Sequence, residues 1–237
     1  MSDHRHKKQL GQHFLHDAGI IERIVRAIDP QPGERLVEIG PGEGALSGPL
    51  LARHGALTVI ELDRDLLEPL RRLGAGRDLE IVHGDVLDVD FTALAAGKPL
   101  RLVGNLPYNI SSPILFHALE HANSVRDMHF MLQKEVVDRM AAAPGSKVYG
   151  RLSVMLQACC RVTPLLRVPP GAFRPPPKVD SAVVRLVPRP AAEVGIDSPG
   201  VFSRVVRAAF SQRRKTLRNA LSSVCDVVAL ERVGISP

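Results

Sequence analysis

Short apolar runs rich in β-branched residues alternate with amphipathic stretches through the first part of the chain. Between the runs, apolar residues recur at three- and four-residue spacing over 45–55, 65–74 and 111–122, as in amphipathic helices. The runs themselves are typical of buried strands and lie at 36–39 (LVEI), 57–62 (LTVIEL), 79–83 (LEIVH), 100–105 (LRLVGN) and 128–133 (MHFMLQ). This alternation predicts a doubly wound α/β domain, with a parallel sheet that carries helices on both faces.

The later part of the chain has a different pattern. A further helix is expected over 153–162 (SVMLQACCRV), and a proline-rich loop then leads into a late strand over 179–187. Residues 188–200 have a linker-like composition, and apolar residues from 202 to 224 fall on roughly one helical face. We therefore expect a main domain over residues 1–190, opening with a basic arm (1–15), and a small helical C-terminal domain over 191–237.

The composition limits the kinds of binding partner and the cellular compartment that we expect for this protein. Thirty-one Lys and Arg against 25 Asp and Glu give a formal net charge of +6, which suits a polyanionic partner without establishing one. Cys159, Cys160 and Cys225 lack paired metal or redox spacing, and their odd number argues against a disulfide framework. There is no secretory signal pattern at the start and no run of about 18 apolar residues. We expect a cytoplasmic protein without a membrane or metal partner.

A glycine-rich turn follows the first predicted strand. In VEIGPGEG, Gly40, Gly42 and Gly44 allow a tight turn and close approach of the backbone to a ligand at a helix start. Glu61 ends the next strand about 20 residues later, where its carboxylate can accept both hydroxyls of a ribose. The same spacing fits a nicotinamide dinucleotide fold, and a turn that binds nothing is a further alternative. The glycines thus indicate a nucleoside cofactor without identifying it.

Two more motifs end the following strands. Asp85 is placed to accept from an adenine amino group, and the four residues from Asn105 to Tyr108 (NLPY) follow the fourth strand. Ligands of open α/β sheets bind at the carboxyl ends of strands, so these features should share one crevice. A hydride-transfer enzyme has no need of such an NLPY turn.

Together these motifs resemble those of class I methyltransferases that act on adenine N6. The segments KKQLGQHFL, GSKVYGRLSVMLQ, FRPPPKVDSAVVRL and FSQRRKTLRNAL narrow the resemblance to the small-subunit rRNA adenine dimethyltransferases, over residues 7 to about 224. It implies a Rossmann-like fold, S-adenosylmethionine as cofactor, and a C-terminal domain that continues beyond GISP. The expected cofactor-binding residues are Gln12, His13, Leu15, Gly40, Gly42, Glu61, Leu62, Asp85, Val86 and Asn105.

The chemistry expected of the NLPY turn is positioning. An adenine amino group is a poor nucleophile because its lone pair is delocalised into the ring. We expect the Asn105 side-chain oxygen and a carbonyl of Leu106-Pro107 to accept the two N6 hydrogens and to aim the lone pair at the methyl group. Tyr108 would stack on the target base. The resemblance supports Phe173 as a second stacking face, and an ordinary core phenylalanine is the alternative.

Two other clusters carry no predicted chemistry. His117 and His121 are four residues apart on one predicted helix, but Glu120 is misplaced for a zinc protease motif. Cys159 and Cys160 are expected in the core of a helix.

A basic stretch near the C-terminus predicts contacts with RNA phosphates. Residues 201–225 contain no Asp or Glu, so their cations lack acidic neighbours in sequence, although a solvated face is the alternative. The residues predicted to bind RNA are Arg213, Arg214, Lys215 and Arg218. The partner implied by the resemblance is the small ribosomal subunit with its 16S rRNA. We expect the protein to be a monomer, although the sequence does not show the oligomeric state.

Two alternative functions stay open at this point. One is a large-subunit rRNA methyltransferase of the erythromycin-resistance type; Leu106, GSKVYGRLSV and the FSQRRKTLRNAL segment favour the small-subunit family instead. The other is a ribosome-assembly factor with secondary methylation activity. The preferred function implied by the resemblance is dimethylation at N6 of two adjacent adenosines in a hairpin loop near the 3′ end of small-subunit rRNA.

Overall fold

A computed structural model of the 237-residue chain describes residues 13–108, 110–212 and 215–235. The strands in these ranges are β1 (Phe14–Leu15), β2 (Arg35–Ile39), β3 (Ala56–Glu61), β4 (Asp78–His83), β5 (Leu100–Asn105), β6 (Val125–Gln133), β7 (Cys160–Val168), β8 (Phe173–Arg174) and β9 (Ser181–Pro188). The α-helices are α1 (Ala18–Ile28), α2 (Ser47–His54), α3 (Leu67–Gly74), α4 (Phe91–Ala95), α5 (Ser111–Glu120), α6 (Lys134–Met140), α7 (Arg151–Cys159), α8 (Ala191–Val194), α9 (Pro199–Ala209), α10 (Leu217–Leu221) and α11 (Val227–Arg232).

A seven-stranded sheet with the order β4-β3-β2-β5-β6-β9-β7 forms the centre of the fold. The strands β2 to β6 pair in parallel, and β9 pairs antiparallel with β6. The chain runs outward from β2 to β3 and β4, then crosses back to β5 on the other side of β2. Because crossovers are right-handed, this reversal puts α2 and α3 on one face and α4 and α5 on the other. The predicted α/β fold and its five parallel strands are confirmed.

The N-terminal helix α1 shows how local sequence fixes an element. The Asp17 side chain accepts the Ile20 N–H at 3.0 Å and caps the first turn. Ile20, Ile24 and Ile28 recur on one face and are buried against the sheet core, which includes β2, β3 and α2 residues. The helix ends at Ile28, and the C-cap residue Asp29 adopts a left-handed conformation at φ 45°.

Two predictions for the later part of the chain are wrong in detail. The helix expected over 153–162 ends at Cys159, and the sequence CRVTPLLRV then forms β7. This strand is the last in the sheet order, and an edge strand tolerates Pro164 because one side of its backbone needs no partner. The basic segment of 202–224 is also not one helix, since α9 ends at Ala209 and α10 begins at Leu217.

The chain divides into two compact units. The first comprises residues up to Asp138 together with Arg161–Pro188, and it contains the sheet. The second comprises Arg139–Cys160 and the chain from Arg189 onward, and its described part is helical. Residues 139–160 thus cluster with the C-terminal helices. Every helix in the described ranges falls short of the length and apolar character that crossing a bilayer requires.

Candidate active site

The glycine turn lies between β2 and α2, at the point where the strand order reverses. Gly40, Gly42 and Gly44 have φ values of 63°, 59° and 85°, which only glycine adopts without strain. The Gly40 N–H donates to the Ile60 carbonyl at 2.9 Å, which ties the turn to the end of β3. The turn is therefore bonded to the end of β3 and lines the cavity at the carboxyl end of β2.

Two carboxylates flank this turn at the ends of the neighbouring strands. Glu61 ends β3, is 6% exposed, and accepts the N–H groups of Asp63 and Gly42 at 2.8 and 3.3 Å. Burial raises the pKa of the Glu61 carboxyl, although these two backbone bonds act to lower it. Asp85 follows β4, and one of its oxygens accepts the Leu87 N–H at 3.0 Å. Both acidic groups are thus oriented by backbone donors.

The NLPY turn follows β5 on the other side of β2. The Asn105 amide nitrogen donates to the His13 carbonyl at 2.9 Å, which leaves the side-chain oxygen as the group available to accept. The Pro107 carbonyl accepts the Ile110 N–H at 3.2 Å. No donor to the Leu106 carbonyl occurs among the described residues, so this is the turn carbonyl that remains available for a ligand.

Tyr108 completes the turn and is half-buried. Its hydroxyl is 2.7 Å from the hydroxyl of Ser181, the first residue of β9, which is fully buried. The imidazole of His13 stacks on the phenol ring, with ring centroids 5.8 Å apart and planes inclined by 30°. Burial raises the pKa of the Tyr108 phenol, so the group is neutral at physiological pH. The ring is thus held at its hydroxyl and faces His13.

These residues enclose one cavity of about 260 Å³, close to the lower end of the roughly 300–1,000 Å³ of small-molecule sites. Every predicted cofactor-binding residue that the structure describes contributes to its wall, as does the whole NLPY turn. Those residues are His13, Leu15, Gly40, Gly42, Glu61, Leu62, Asp85, Val86, Asn105, Leu106, Pro107 and Tyr108. Gln12 lies outside the described residues.

Phe173 is not among the residues that line this cavity. Its side chain is 2% exposed and packs in the hydrophobic core with Leu15 and Val183. Strand β8, which contains Phe173, pairs with β1, so the N-terminal strand covers it. The structure therefore places Phe173 as a core residue, and this arrangement does not support the expected stacking role.

Sequence reasoning missed several residues at the site, and three of them carry side chains that bear on its chemistry. Glu38 and Phe14 line the cavity, and Ser181 holds the Tyr108 hydroxyl. Glu38 did carry a signal, because a carboxylate inside an apolar parallel strand is buried and has an unusual environment. Phe14 carried one too, because it lies between His13 and Leu15. Ser181 carried none, since only the tertiary fold brings it to Tyr108.

The other predicted clusters occupy structural positions. His117 donates its Nε2–H to the Val89 carbonyl at 2.9 Å, and its ring packs edge-to-face on that of His121. No group of metal-ligating side chains occurs within the described ranges. Burial raises the pKa of the Cys160 thiol to about 12 and also raises that of Cys159, so both are poor nucleophiles.

The predicted RNA-binding residues belong to the second unit. Lys215 and Arg218 are exposed, as are Arg204 and Arg207 on α9, and none of these four has an ion pair with a described residue. Arg213 and Arg214 lie outside the described residues.

Comparison with solved structures finds a dimethyladenosine transferase and an rRNA methyltransferase among the similar proteins. The dimethyladenosine transferase of Plasmodium falciparum superposes with a TM-score of 0.79 at 29% identity and covers 95% of this chain and 83% of its own. The 23S rRNA methyltransferase ErmE superposes with a TM-score of 0.73 at 28% identity, covering 94% of this chain and 91% of its own.

Sequence comparison gives more similar relatives. Ribosomal RNA small subunit methyltransferase A of Xanthomonas campestris pv. campestris (strain B100) is 71% identical over 98% of this chain and 88% of its own length. The protein of the same name from Xanthomonas euvesicatoria pv. vesicatoria (strain 85-10) is 69% identical over the same shares. The model of the family described as ribosomal RNA adenine dimethylase matches residues 3–235. The chain therefore belongs to the ribosomal RNA adenine dimethylase family.

Proposed function

We propose that the protein transfers methyl groups from S-adenosylmethionine to N6 of two adjacent adenosines in a hairpin loop near the 3′ end of small-subunit rRNA. Each adenosine becomes N6,N6-dimethyladenosine, as a step in small-subunit biogenesis. The observation that carries the proposal is that the NLPY turn faces the same cavity as Glu61 and Asp85. Relatives that are 69–71% identical and are named as small-subunit methyltransferases support this substrate.

The cavity wall fits the proposed cofactor. A Cβ at Gly40 or at Gly84 would meet no atom within 4 Å, so both positions open onto free space that a ligand can fill. Leu62 exposes 51% of its surface, and it lines the cavity next to Glu61. An exposed leucine beside oriented carboxylates suits a nucleoside, which offers an apolar base face and polar hydroxyl and amino groups.

We assign the cofactor contacts by strand order. Asp85 after β4 would accept from the adenine amino group, with Leu62 and Val86 against the base. Glu61 after β3 would accept the ribose hydroxyls, and the Gly40 turn after β2 would admit the rest of the molecule. When bound, S-adenosylmethionine supplies an electrophilic methyl group on a cationic sulfur.

Asn105 and Leu106 position the nucleophile. The Asn105 side-chain oxygen and the Leu106 carbonyl would accept the two N6 hydrogens, because the Pro107 carbonyl is already bonded to Ile110. Two acceptors draw the nitrogen toward tetrahedral geometry and direct its lone pair into the cavity. Holding the reacting atoms in line contributes on the order of 7–11 kcal/mol to lowering the barrier.

Tyr108 provides the face on which the target base stacks. In the structure, the His13 ring lies on one side of the Tyr108 ring. A target base that stacks on Tyr108 would therefore either displace His13 or stack together with it. Ser181 acts as a positioning residue through its bond to the Tyr108 hydroxyl. Loop bases are splayed out at lower cost than duplex bases, which must first be unpaired, so a hairpin loop suits this site.

The C-terminal region, which we place at residues 191–237, would supply phosphate contacts elsewhere on the small subunit. A single loop presents little surface for discrimination, and contacts to phosphates set register on a nucleic acid. The predicted contacts come from Arg213, Arg214, Lys215 and Arg218. The large-subunit alternative shares the fold, as ErmE does at 28% identity, but the more similar relatives are named for the small subunit.

One experiment separates these functions. The protein is incubated with S-adenosylmethionine labelled in the methyl group and, separately, with small subunits, large subunits and duplex DNA. We expect label in small subunits only, recovered as N6,N6-dimethyladenosine after base analysis. Label in large subunits, or recovery of monomethyl adenosine alone, would contradict the proposal.

A further inference from the structure

The imidazole of His13 covers the ring on which the target base is proposed to stack. It lies against the Tyr108 phenol, with ring centroids 5.8 Å apart and planes inclined by 30°. Both side chains line the cavity. In this structure the histidine therefore occupies space that a base stacked on Tyr108 would need.

Two hydrogen bonds hold His13 in this place. Its Nδ1 lies 2.8 Å from the Pro175 carbonyl, and because a carbonyl can only accept, Nδ1 carries the hydrogen and donates it. The backbone carbonyl of His13 accepts the Asn105 amide N–H at 2.9 Å. A substitution at position 13 can thus remove the ring and its bond to Pro175 while the main-chain acceptor that orients Asn105 is kept.

The position of the target amine determines which side of Tyr108 the base would use. In the proposed function, this amine binds at the side-chain oxygen of Asn105. The nitrogen of the same amide is bonded to the backbone of His13, so a base with its amine at Asn105 lies beside His13. The base and the imidazole therefore compete for the same side of the phenol ring.

The His13 and Tyr108 rings are too close together to admit a base between them. Stacked bases are about 3.4 Å apart, so a base between two rings requires a separation of roughly 7 Å. The observed separation is 5.8 Å, so admitting a base would move the imidazole by about 1 Å from the place in which it is bonded to Pro175. Entry of a base thus disturbs both contacts of the His13 ring.

We infer that His13 is a positioning residue whose imidazole acts as a placeholder for the target base, keeping the Tyr108 ring stacked until an adenine displaces it. This inference rests on the proposed function. A purine stacks over a larger area than an imidazole, and adenine also supplies the amine that Asn105 and Leu106 accept. A base that gains less from this exchange leaves His13 in place.

The test compares two hairpin RNAs, one with two adjacent adenosines in its loop and one in which both positions are abasic. Fluorescence anisotropy with the whole chain, at saturating S-adenosylhomocysteine, gives an affinity for each RNA, and the ratio of the two isolates the contribution of the bases. His13→Ala should raise this ratio by about two- to tenfold, the factor that corresponds to a typical aromatic pair. A purely structural role of His13 would give a loss or no change.

Two further variants check the cause of the increase. His13→Phe keeps a ring that can stack but loses the bond to Pro175, so it should raise the ratio less than His13→Ala does. His16→Ala is the matched control and should leave the ratio unchanged. His16 lies in the same segment, its side chain is exposed, and its bond to the Ala172 carbonyl comes from the main chain.

The outcomes separate this inference from the proposed function. A lower ratio in His13→Ala would show that His13 stacks together with the base, and an unchanged ratio would show that the two do not compete. Either result overturns the placeholder role, as does an equal increase in His13→Phe and His13→Ala. The proposed function is decided by the labelling experiment above: label in small subunits retains it whatever the ratio, and absence of that label overturns it.

Discussion

At the scale of single residues, the candidate site assigns separate atoms to separate tasks. The Asn105 amide nitrogen donates a hydrogen bond to the His13 carbonyl, so the oxygen of the same side chain is available to accept one from a ligand. The Tyr108 hydroxyl is engaged by Ser181, which leaves the ring as the contact surface. The consequence is that conservative changes at these positions should affect transfer without affecting folding.

Asn105→Ala should reduce methyl transfer by at least about 100-fold while the chain stays folded, because one of two acceptors for the target amine is removed and its position relaxes. Cofactor affinity should also fall somewhat, since Asn105 lines the cavity that we propose for the cofactor. Single-turnover rates at saturating cofactor separate the two effects. Asn123→Ala, at an exposed asparagine outside the site, is the control, and a near-normal rate in Asn105→Ala would rule out the positioning role.

Ser181→Ala should lower the rate of transfer by up to about tenfold, because the Tyr108 ring is no longer fixed by a hydrogen bond at its hydroxyl. Cofactor affinity should be unchanged, since Ser181 does not line the cavity. Tyr108→Phe should give a similar loss, and the double variant should add little to either single change. Full additivity of the two losses, measured as kcat/KM for small subunits, would show that the two hydroxyls act separately.

At the scale of elements, the site depends on the close approach of β2 and β5. Gly104 on β5 faces the end of β2, where a Cβ would lie 2.5 Å from the Ile39 carbonyl oxygen. The obstacle is backbone, so it cannot rotate away as a side chain would. The glycine turn and Asn105 extend from these two strands, and their separation sets the width of the cavity.

Gly104→Ala should destabilise the fold by about 1–3 kcal/mol and weaken cofactor binding, because the two strands must move apart to accept the methyl group. Urea unfolding and calorimetry measure the two effects. Gly171→Ala is the matched control, since a Cβ there meets no atom within 4 Å and the backbone φ is not left-handed. Equal stability of the two variants would contradict the proposed close approach.

At the scale of the whole molecule, a buried ionic network links the beginnings of β5 and β6 to Glu34, which precedes β2, at the end of the sheet opposite the cavity. Arg101 on β5 donates to Asp127 at 2.9 Å and to Glu34 at 2.7 Å, and to the Ile28 carbonyl at 2.7 Å. His129 lies beside Asp127 on β6 and is 3% exposed, and neither ring nitrogen has a hydrogen-bond partner in the described part of the chain. Burial lowers the pKa of His129 to about 4.

The network predicts a loss of stability in acid. An unfolded histidine has a pKa of 6.5, so as the pH falls the unfolded chain binds the proton before the folded chain does. His129 therefore does not reduce the free energy of unfolding above pH 6.5. Between pH 6.5 and pH 4 it lowers the free energy of unfolding by up to roughly 3 kcal/mol. Glu38 acts in the opposite direction over this range because its pKa is raised.

The measurement is therefore a difference between variants. Urea unfolding of the wild type and of His129→Gln from pH 7 to pH 4 should show a steeper loss in the wild type, and replacement of the exposed His83 is the control. Parallel curves for the wild type and His129→Gln would show that His129 does not contribute to acid sensitivity.

A second whole-molecule prediction concerns binding to the ribosomal subunit. Replacing Arg213, Arg214, Lys215 and Arg218 with Gln should weaken small-subunit binding and reduce its salt slope by about one for each phosphate that the variant no longer binds, with cofactor affinity unchanged. Replacing the exposed Arg77 and Lys98 of the first unit removes charge elsewhere and is the control. Methylation at the wild-type rate across a salt titration would show that this basic segment is only a solvated face.

The sequence alone determined the parallel sheet and most of the cavity wall. Strand patterns and the glycine, Glu61, Asp85 and NLPY motifs are local, and each motif directly follows a strand, so the carboxyl edge of the sheet gathers them. The motifs also identified the family, because several long segments occur in a consistent order. These properties depend on neighbours in sequence, which a pattern can detect.

Only the tertiary structure decided the features that depend on distant contacts. Pairing of β1 with β8 buried Phe173, and antiparallel pairing of β9 with β6 brought Ser181 to Tyr108. The strand β7 formed in place of the end of a predicted helix because the sheet edge offered backbone hydrogen bonds to a segment with weak helical preference. The environment of Glu38 likewise arises from strands on both sides, since burial and charge depend on which residues the fold packs around it.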